Sequence, residues 1–272
     1  MGKIAARLAV SVPPLAILFV APRHFGTVVA VLAAVIVIDI SGVLARAGAR
    51  PVLLAAALPA VGLPVAVTLN GGTGWQMLPG WFAAGLLSMF ALVVVFGRRS
   101  GVSEALGATS LAGLVVGLGA SGAILLSTLP EGRTWVLGFA ALLLAAEGGA
   151  ALLGRRRTLP RWAFDTEAAV AARPLPPAAA QAFWASLLST VLVGGALAVI
   201  VGDPFTPMIV VGVGLIAVLA AFAGGFLQRV AAVETGVADR PLSGGVGALT
   251  SAADAILIAA PLAYALARSL AT

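Results

Sequence analysis

Three carboxylates lie inside long apolar stretches of the sequence. They are Asp39 in AVIVIDISGVLA, Glu147 in LLLAAEGGAALLG and Asp254 in LTSAADAILIAAP. An ionisable side chain at membrane depth is costly and often belongs to a proton or cation pathway, so these residues are candidates for such chemistry. The alternative is that each lies within a turn or two of the membrane interface, where an arginine or a serine hydroxyl satisfies it. The residues alone leave both interpretations open.

The composition of the chain indicates which kind of element must position these carboxylates. Of its 272 residues, 61% are hydrophobic and 10% are charged, and there is no cysteine. Soluble domains carry roughly a quarter charged residues and about half apolar ones. The composition therefore excludes a soluble globular enzyme, a disordered chain and a disulfide-stabilised secreted domain. The expected fold class is an all-α polytopic membrane protein.

Long apolar runs alternate with short polar breaks along the whole chain. A transmembrane helix needs about 20 apolar residues, and this length sets the number of helices that the chain can supply. We predict about nine transmembrane helices. The apolar runs cover residues 4–21, 26–45, 51–69, 78–96, 105–128, 134–153, 180–201, 206–227 and 247–270.

The basic residues are distributed unevenly between the two sides of these spans. If the N-terminus is cytoplasmic, the only Lys or Arg residues on the opposite side are Arg23, Arg133 and Arg268, out of 16 in the chain. This asymmetry follows the positive-inside rule. We predict a multi-pass protein of the cytoplasmic (inner) membrane with the N-terminus cytoplasmic and the C-terminus outside. Basic residues dispersed between apolar runs do not predict nucleic-acid binding.

Two predicted cytoplasmic loops, 154–179 and 228–246, are long enough to form a functional surface. Arginine clusters beside transmembrane helices commonly anchor the topology and contact anionic lipid headgroups. The predicted lipid- or phosphate-binding residues are the arginines Arg155, Arg156, Arg157, Arg161 and Arg229.

Known chemical motifs of soluble enzymes do not occur in the sequence. There is no P-loop, GxSxG or HExxH motif, and His24 is the single histidine. We therefore predict no metal site built from histidine or cysteine. The fifth run contains Gly113 and Gly117 at GxxxG spacing, which is typical of closely packed transmembrane helices.

Three segments in the second half of the chain resemble one family of membrane enzymes. They are EGGAALLGR at 147–155, AAFAGGFLQRVAAVETG at 220–236 and VGALTSAADAILIAAPLAYAL at 246–266. These segments resemble motifs of the phosphatidate cytidylyltransferase (CDP-diacylglycerol synthase) family. The resemblance divides the chain into N-terminal spans 1–5, at 1–130, and a cytidylyltransferase-like region at 131–272. It implies Mg²⁺-dependent attack of a lipid phosphate on CTP.

Most positions that carry the family's ligands and charges hold other residues here. Such chemistry requires carboxylates for the metal ions and basic residues for the phosphates. The positions that lack the family's ligand or charge are Ala221, Gly224, Gly225, Gln228, Val246, Ser251 and Ala252. The candidate relics of the site are Glu147, Arg229, Glu234 and Asp254. The resemblance therefore implies a catalytically degenerate member with no metal or cofactor.

Three functional hypotheses follow from these observations. The preferred one is a non-catalytic, lipid-binding, scaffolding or regulatory subunit, whose partners are membrane lipids and either further copies of itself or a membrane complex. The first alternative is an active CTP-dependent lipid cytidylyltransferase or related transferase with a shifted site, which would use Mg²⁺ and CTP. The second is a transporter, in which Asp39, Glu147 and Asp254 face one water-filled cavity.

Overall fold

The structure, a computed structural model, describes most of the chain. It covers residues 12–46, 48–96, 102–154, 177–234 and 248–271, with side chains described except at 151–154, 177–180, 225–234, 248–252 and 271. Within these ranges 92% of the residues are helical and none lies in a β-strand. The predicted all-α fold class is confirmed.

The helices follow the predicted apolar runs closely. In chain order, the described helices are α1 (12–20), α2 (Phe25–Arg46), α3 (Leu53–Asn70), α4 (Gly74–Phe96), α5 (Val102–Ser127), α6 (Gly132–Gly154), α7 (Pro177–Ile200), α8 (Pro207–Glu234) and α9 (Ala248–Ala271).

Two predicted loop boundaries differ from the structure. Helix α8 continues to Glu234, so the first part of the predicted loop 228–246 is helical. The segment FLQRVAAVE contains no glycine or proline, and its charged residues do not interrupt backbone hydrogen bonding, so the helix extends past the end of the apolar run. Similarly, α7 begins at Pro177, inside the predicted loop 154–179. The rest of both loops lies outside the described residues.

Six stretches of the described chain are long and apolar enough to cross a membrane. One of them, Leu53–Phe96, is 44 residues long and contains both α3 and α4. These two helices fold back on each other as a hairpin. Their contact is shown at Gly85 of α4, where an added Cβ would lie 3.1 Å from Cβ of Pro59 in α3. The other stretches are Pro22–Arg46, Val102–Ser127, Gln181–Ile200, Pro207–Gly224 and Ala253–Leu270.

Successive helices of the bundle run in opposite directions. Gly26, at the start of α2, packs against Thr68 near the end of α3. The Ser186 hydroxyl, early in α7, donates a 2.7 Å hydrogen bond to the carbonyl oxygen of Ala146, late in α6. The bundle therefore has two ends. We name them the Arg46 end, where α2, α4, α6 and α8 finish, and the Arg268 end, where α3, α5, α7 and α9 finish.

Helix α5 lies at the centre and packs closely against α3 on one side. A Cβ added at Gly113 would lie 2.7 Å from the carbonyl oxygen of Ala56, and one at Gly117 would collide with the carbonyl of Pro59. Glycine at both positions is thus required for the observed approach of the two backbones. The packing role predicted from the GxxxG spacing is confirmed.

The opposite side of α5 packs against α9 in the same way. A Cβ at Gly119 would lie 2.5 Å from Cα of Leu257, and one at Gly122 would contact the backbone around Pro261. Of the six apolar stretches, the one in α5 is the most enclosed, since 67% of an apolar 18-residue segment within it is buried. Small residues on two faces of α5 therefore allow α3 and α9 to pack closely against it.

The close contact at Gly117 gives a test of this packing. We expect Gly117→Ala to lower the free energy of unfolding by about 1–3 kcal/mol, because the added methyl group has no space against the α3 backbone. The matched control is Gly107→Ala on the same helix, where a Cβ would meet nothing within 4 Å. That change should be neutral or stabilise the protein by up to about 1 kcal/mol, because alanine favours helix more than glycine does. Thermal and denaturant unfolding in detergent measure both values, and equal effects of the two changes would contradict the packing.

Candidate functional site

The three intramembrane carboxylates lie at a similar depth near the Arg46 end. Asp39 is seven residues from the end of α2, Glu147 is seven residues from the end of α6, and Asp254 is six residues from the start of α9. At 1.5 Å per helical residue, each lies about 10 Å inside the helix end. All three side chains are half-buried, and each has an interaction partner. This depth agrees with the interfacial interpretation of the sequence.

Glu147 lies on the side of α6 that faces away from α7. The α6–α7 contact is made by neighbouring residues, because the Ser186 and Ser189 hydroxyls donate 2.7 Å hydrogen bonds to the carbonyl oxygens of Ala146 and Ala145. Glu147 instead follows Leu143 at i+4, so the two side chains share a face of the helix. Gly149, which packs against the Ser189 hydroxyl and the Ala185 carbonyl, marks the side of α6 that faces α7. Glu147 is two residues earlier, about 200° around the helix, and so lies on a different side.

Asp254 packs directly against the backbone of α8. A Cβ added at Gly224 would lie 2.7 Å from both Cγ and Oδ2 of Asp254. The same carboxylate accepts a 2.7 Å hydrogen bond from the backbone N–H of Ala255. Because Gly224 has no side chain, the carboxylate fits between α8 and α9.

An apolar cavity of about 110 Å³ lies among α1, α2, α5, α6 and α9. Every side chain that lines it is apolar, including Phe25 and Ile36 of α2, Leu143 and Ala140 of α6, and Leu257 of α9. A cavity lined in this way stays dry and accepts apolar ligands. No pattern in the sequence predicted this cavity, because its lining combines residues from three separate parts of the chain, α1–α2, α5–α6 and α9.

The carboxylates border this cavity without lining it. Asp39 follows the lining residue Ile36 at i+3, and Glu147 follows the lining residue Leu143 at i+4, so both continue the lining faces toward the Arg46 end. Asp254 follows Ala253, another lining residue, but its carboxylate turns to Gly224 of α8. The described lining of the apolar cavity includes none of the three carboxylates, so this cavity is not the water-filled one that the transporter hypothesis requires.

The remaining predicted site residues are only partly covered by the structure. Arg155, Arg156, Arg157 and Arg161 lie outside the described residues. Arg229 and Glu234 belong to the last turns of α8, where the helix is described but the side chains are not. A search of the described side chains for three or more His, Cys, Asp or Glu residues that could hold a metal ion gives no such group.

One cluster of side chains, at the opposite end of the bundle, was not predicted from the sequence. Arg268 of α9 lies with its guanidinium carbon 4.0 Å from the ring centroid of Trp75, and its Nη1 donates a 3.1 Å hydrogen bond to the Tyr264 hydroxyl. The i, i+4 spacing of Tyr264 and Arg268 was the only available signal. Trp75 could not be assigned to the cluster because it is almost two hundred residues away in the sequence.

In comparisons with known proteins, no family model, curated protein or solved structure matches the chain. The resemblance of the three segments to cytidylyltransferase motifs therefore stays a hypothesis.

The contact between Gly224 and Asp254 gives a test of the α8–α9 packing. We expect Gly224→Ala to destabilise the protein by about 1–3 kcal/mol, because the new methyl group meets the carboxylate. In an Asp254→Ala background the same change should cost at least about 0.5 kcal/mol less, since the two residues are in contact. Gly195→Ala on α7, where a Cβ meets nothing within 4 Å, is the control and should have the same effect in both backgrounds. Additive effects of Gly224→Ala and Asp254→Ala in unfolding measurements would argue against the contact.

Proposed function

We propose that this chain is a non-catalytic, cytidylyltransferase-like membrane protein that binds lipid and acts as a scaffolding or regulatory subunit. The observation that carries the proposal is the apolar cavity of about 110 Å³ among α1, α2, α5, α6 and α9. Its occupant in the proposal is an acyl chain of a membrane lipid. The headgroup of that lipid would lie toward the Arg46 end, where the apolar lining gives way to polar residues.

The chemistry of the lining supports an acyl chain as the occupant. The cavity lies at the depth of the apolar helix segments, where the surrounding solvent consists of lipid tails. Its lining offers no polar side chain to a nucleotide, a sugar or an ion. Burying apolar surface contributes about 0.8 kcal/mol per methylene group to the binding free energy. Even a short length of acyl chain would therefore stabilise the complex.

The packing of α8 on α9 supports the absence of catalysis. The resemblance aligns Gly224 with an acidic residue of the family, yet a side chain at this position would overlap the carboxylate of Asp254. An acidic residue at 224 would also place two carboxylates in contact, and like charges at that distance repel strongly. The contact thus favours a packing role for Asp254 at the α8–α9 interface over a role as one of a pair of metal ligands.

The distribution of charges supports a position in the cytoplasmic membrane. With about nine spans, the positive-inside rule places the Arg46 end and the N-terminus in the cytoplasm, and the Arg268 end and the C-terminus outside. In this orientation the two long loops and the arginines Arg155, Arg156, Arg157 and Arg161 face the cytoplasm. They would contact anionic headgroups or a partner subunit there.

Filling the cavity tests whether it binds lipid. We expect the wild-type chain, purified in a mild detergent, to retain a lipid that mass spectrometry detects. Ala140→Leu should abolish this retention, because residue 140 lines the cavity and the larger side chain fills it. The control is Ala141→Leu, since Ala141 is equally half-buried on the same helix but does not line the cavity. Equal retention by the two variants would contradict the cavity as the lipid site.

An assay with CTP, Mg²⁺ and phosphatidate tests the absence of catalysis. We expect the purified protein to release pyrophosphate at the background rate. Glu147→Gln and Asp254→Asn should leave that rate unchanged, because neither carboxylate acts as a metal ligand in the proposal. Turnover above background that both substitutions abolish would overturn the non-catalytic function and support the active-enzyme alternative.

A further inference from the structure

A second pocket lies at the Arg268 end of the bundle, between α4 and α9. Its volume is about 550 Å³, and α5 forms its floor through Leu118 and Leu125. Its walls include Leu78 and Pro79 of α4 and Pro261 of α9. This cleft is separate from the apolar cavity, since no residue lines both.

Among the described residues that line this cleft, Arg268 is the only charged one. It stacks on Trp75 at 4.0 Å from the ring centroid and donates a 3.1 Å hydrogen bond to the Tyr264 hydroxyl. Stacking uses the face of a guanidinium group, whereas its five N–H donors lie in the plane and suit bidentate phosphate binding. Two aromatic side chains therefore hold the guanidinium in place at the end of the cleft, which reduces the entropy lost when an anion binds.

The cleft combines one cationic end with an apolar interior. Arg268 and Pro261 are seven residues apart on α9, so the cleft extends about 10 Å along the helix from the guanidinium. Tryptophan, tyrosine and arginine at a helix end are typical of the membrane interface. The apolar walls thus lie at the depth of acyl chains, while Arg268 lies at the depth of lipid phosphates.

From this geometry we propose that the cleft binds an anionic phospholipid, with Arg268 at the headgroup phosphate and an acyl chain between α4 and α9. The headgroup is anionic because the described lining places a cationic side chain at the end of the cleft and offers no acidic residue to bind a choline or ethanolamine cation. This site is independent of the lipid that the apolar cavity would hold.

The test compares lipid binding by the full chain and by variants. Delipidated protein in detergent is titrated with dioleoyl phosphatidylglycerol or dioleoyl phosphatidylethanolamine, and native mass spectrometry gives the apparent Kd of the first lipid bound. We expect the wild type to prefer phosphatidylglycerol. Arg268→Gln should weaken phosphatidylglycerol binding about tenfold, as expected for the loss of a charge-assisted hydrogen-bonding partner, and should leave phosphatidylethanolamine binding unchanged.

Two further variants distinguish binding in the cleft from a general charge effect and from misfolding. Arg133→Gln removes an exposed arginine at the same end of the bundle, outside the cleft, and should change the affinity by less than about twofold. Ala265→Phe fills the cleft from an exposed position and should weaken phosphatidylglycerol binding with Arg268 in place. Ala140→Leu, which fills the apolar cavity, should preserve the preference for phosphatidylglycerol, so failure of one site is distinguishable from failure of the other.

Three results would overturn the proposal. The first is an equal loss of affinity in Arg268→Gln and Arg133→Gln, which would indicate only a general charge effect. The second is equal wild-type affinity for the two lipids. The third is displacement of phosphatidylglycerol by an equimolar concentration of inorganic phosphate, because phosphate lacks the acyl chain that the cleft is proposed to bind.

Discussion

The close approach of α5 to two neighbours is the constraint on which the rest of the bundle depends. Lipid tails are as apolar as leucine, so helices in a membrane gain little from burying apolar surface and associate by close packing. Gly113 and Gly117 allow contact with α3, whereas Gly119 and Gly122 allow contact with α9. Helix α3 in turn packs against α2 and α4, and α9 packs against α8. A larger side chain at any of these four glycines would separate the halves of the bundle.

The same contact determines where the two pockets lie. Gly119 of α5 and Leu257 of α9 line the apolar cavity, whereas Gly122 and Pro261, one turn further along each helix, line the cleft. The α5–α9 contact therefore forms the boundary between the two spaces. Since α9 also carries Asp254 near one end and Arg268 near the other, a displacement of α9 on α5 would change both pockets together.

The sequence predicted the position of residues along each helix well and their direction around the helix poorly. Hydropathy located the helices to within a few residues, and the GxxxG spacing identified Gly113 and Gly117 as packing residues. The sequence could not show that Asp254 turns toward α8, because that direction depends on how α8 and α9 pack. The Trp75–Arg268 contact was equally inaccessible, since α4 and α9 are brought together only through α5. The extension of α8 to Glu234 was missed because hydropathy locates the apolar core of a helix and gives no signal for where its polar end stops.

The α8–α9 interface bears on the proposal that the chain lacks a metal site. A site for metal-dependent phosphoryl transfer requires carboxylates that are separated by an ion and by the oxygens of its substrate. Here the Asp254 side chain lies against Gly224 of α8, and a Cβ added at position 224 would meet its carboxylate. In the proposed relationship to the cytidylyltransferases, glycine at position 224 removes a ligand and leaves the space that the Asp254 carboxylate occupies. An acidic residue at position 224 would displace this carboxylate, so a single substitution would disturb the α8–α9 packing before it created a metal site.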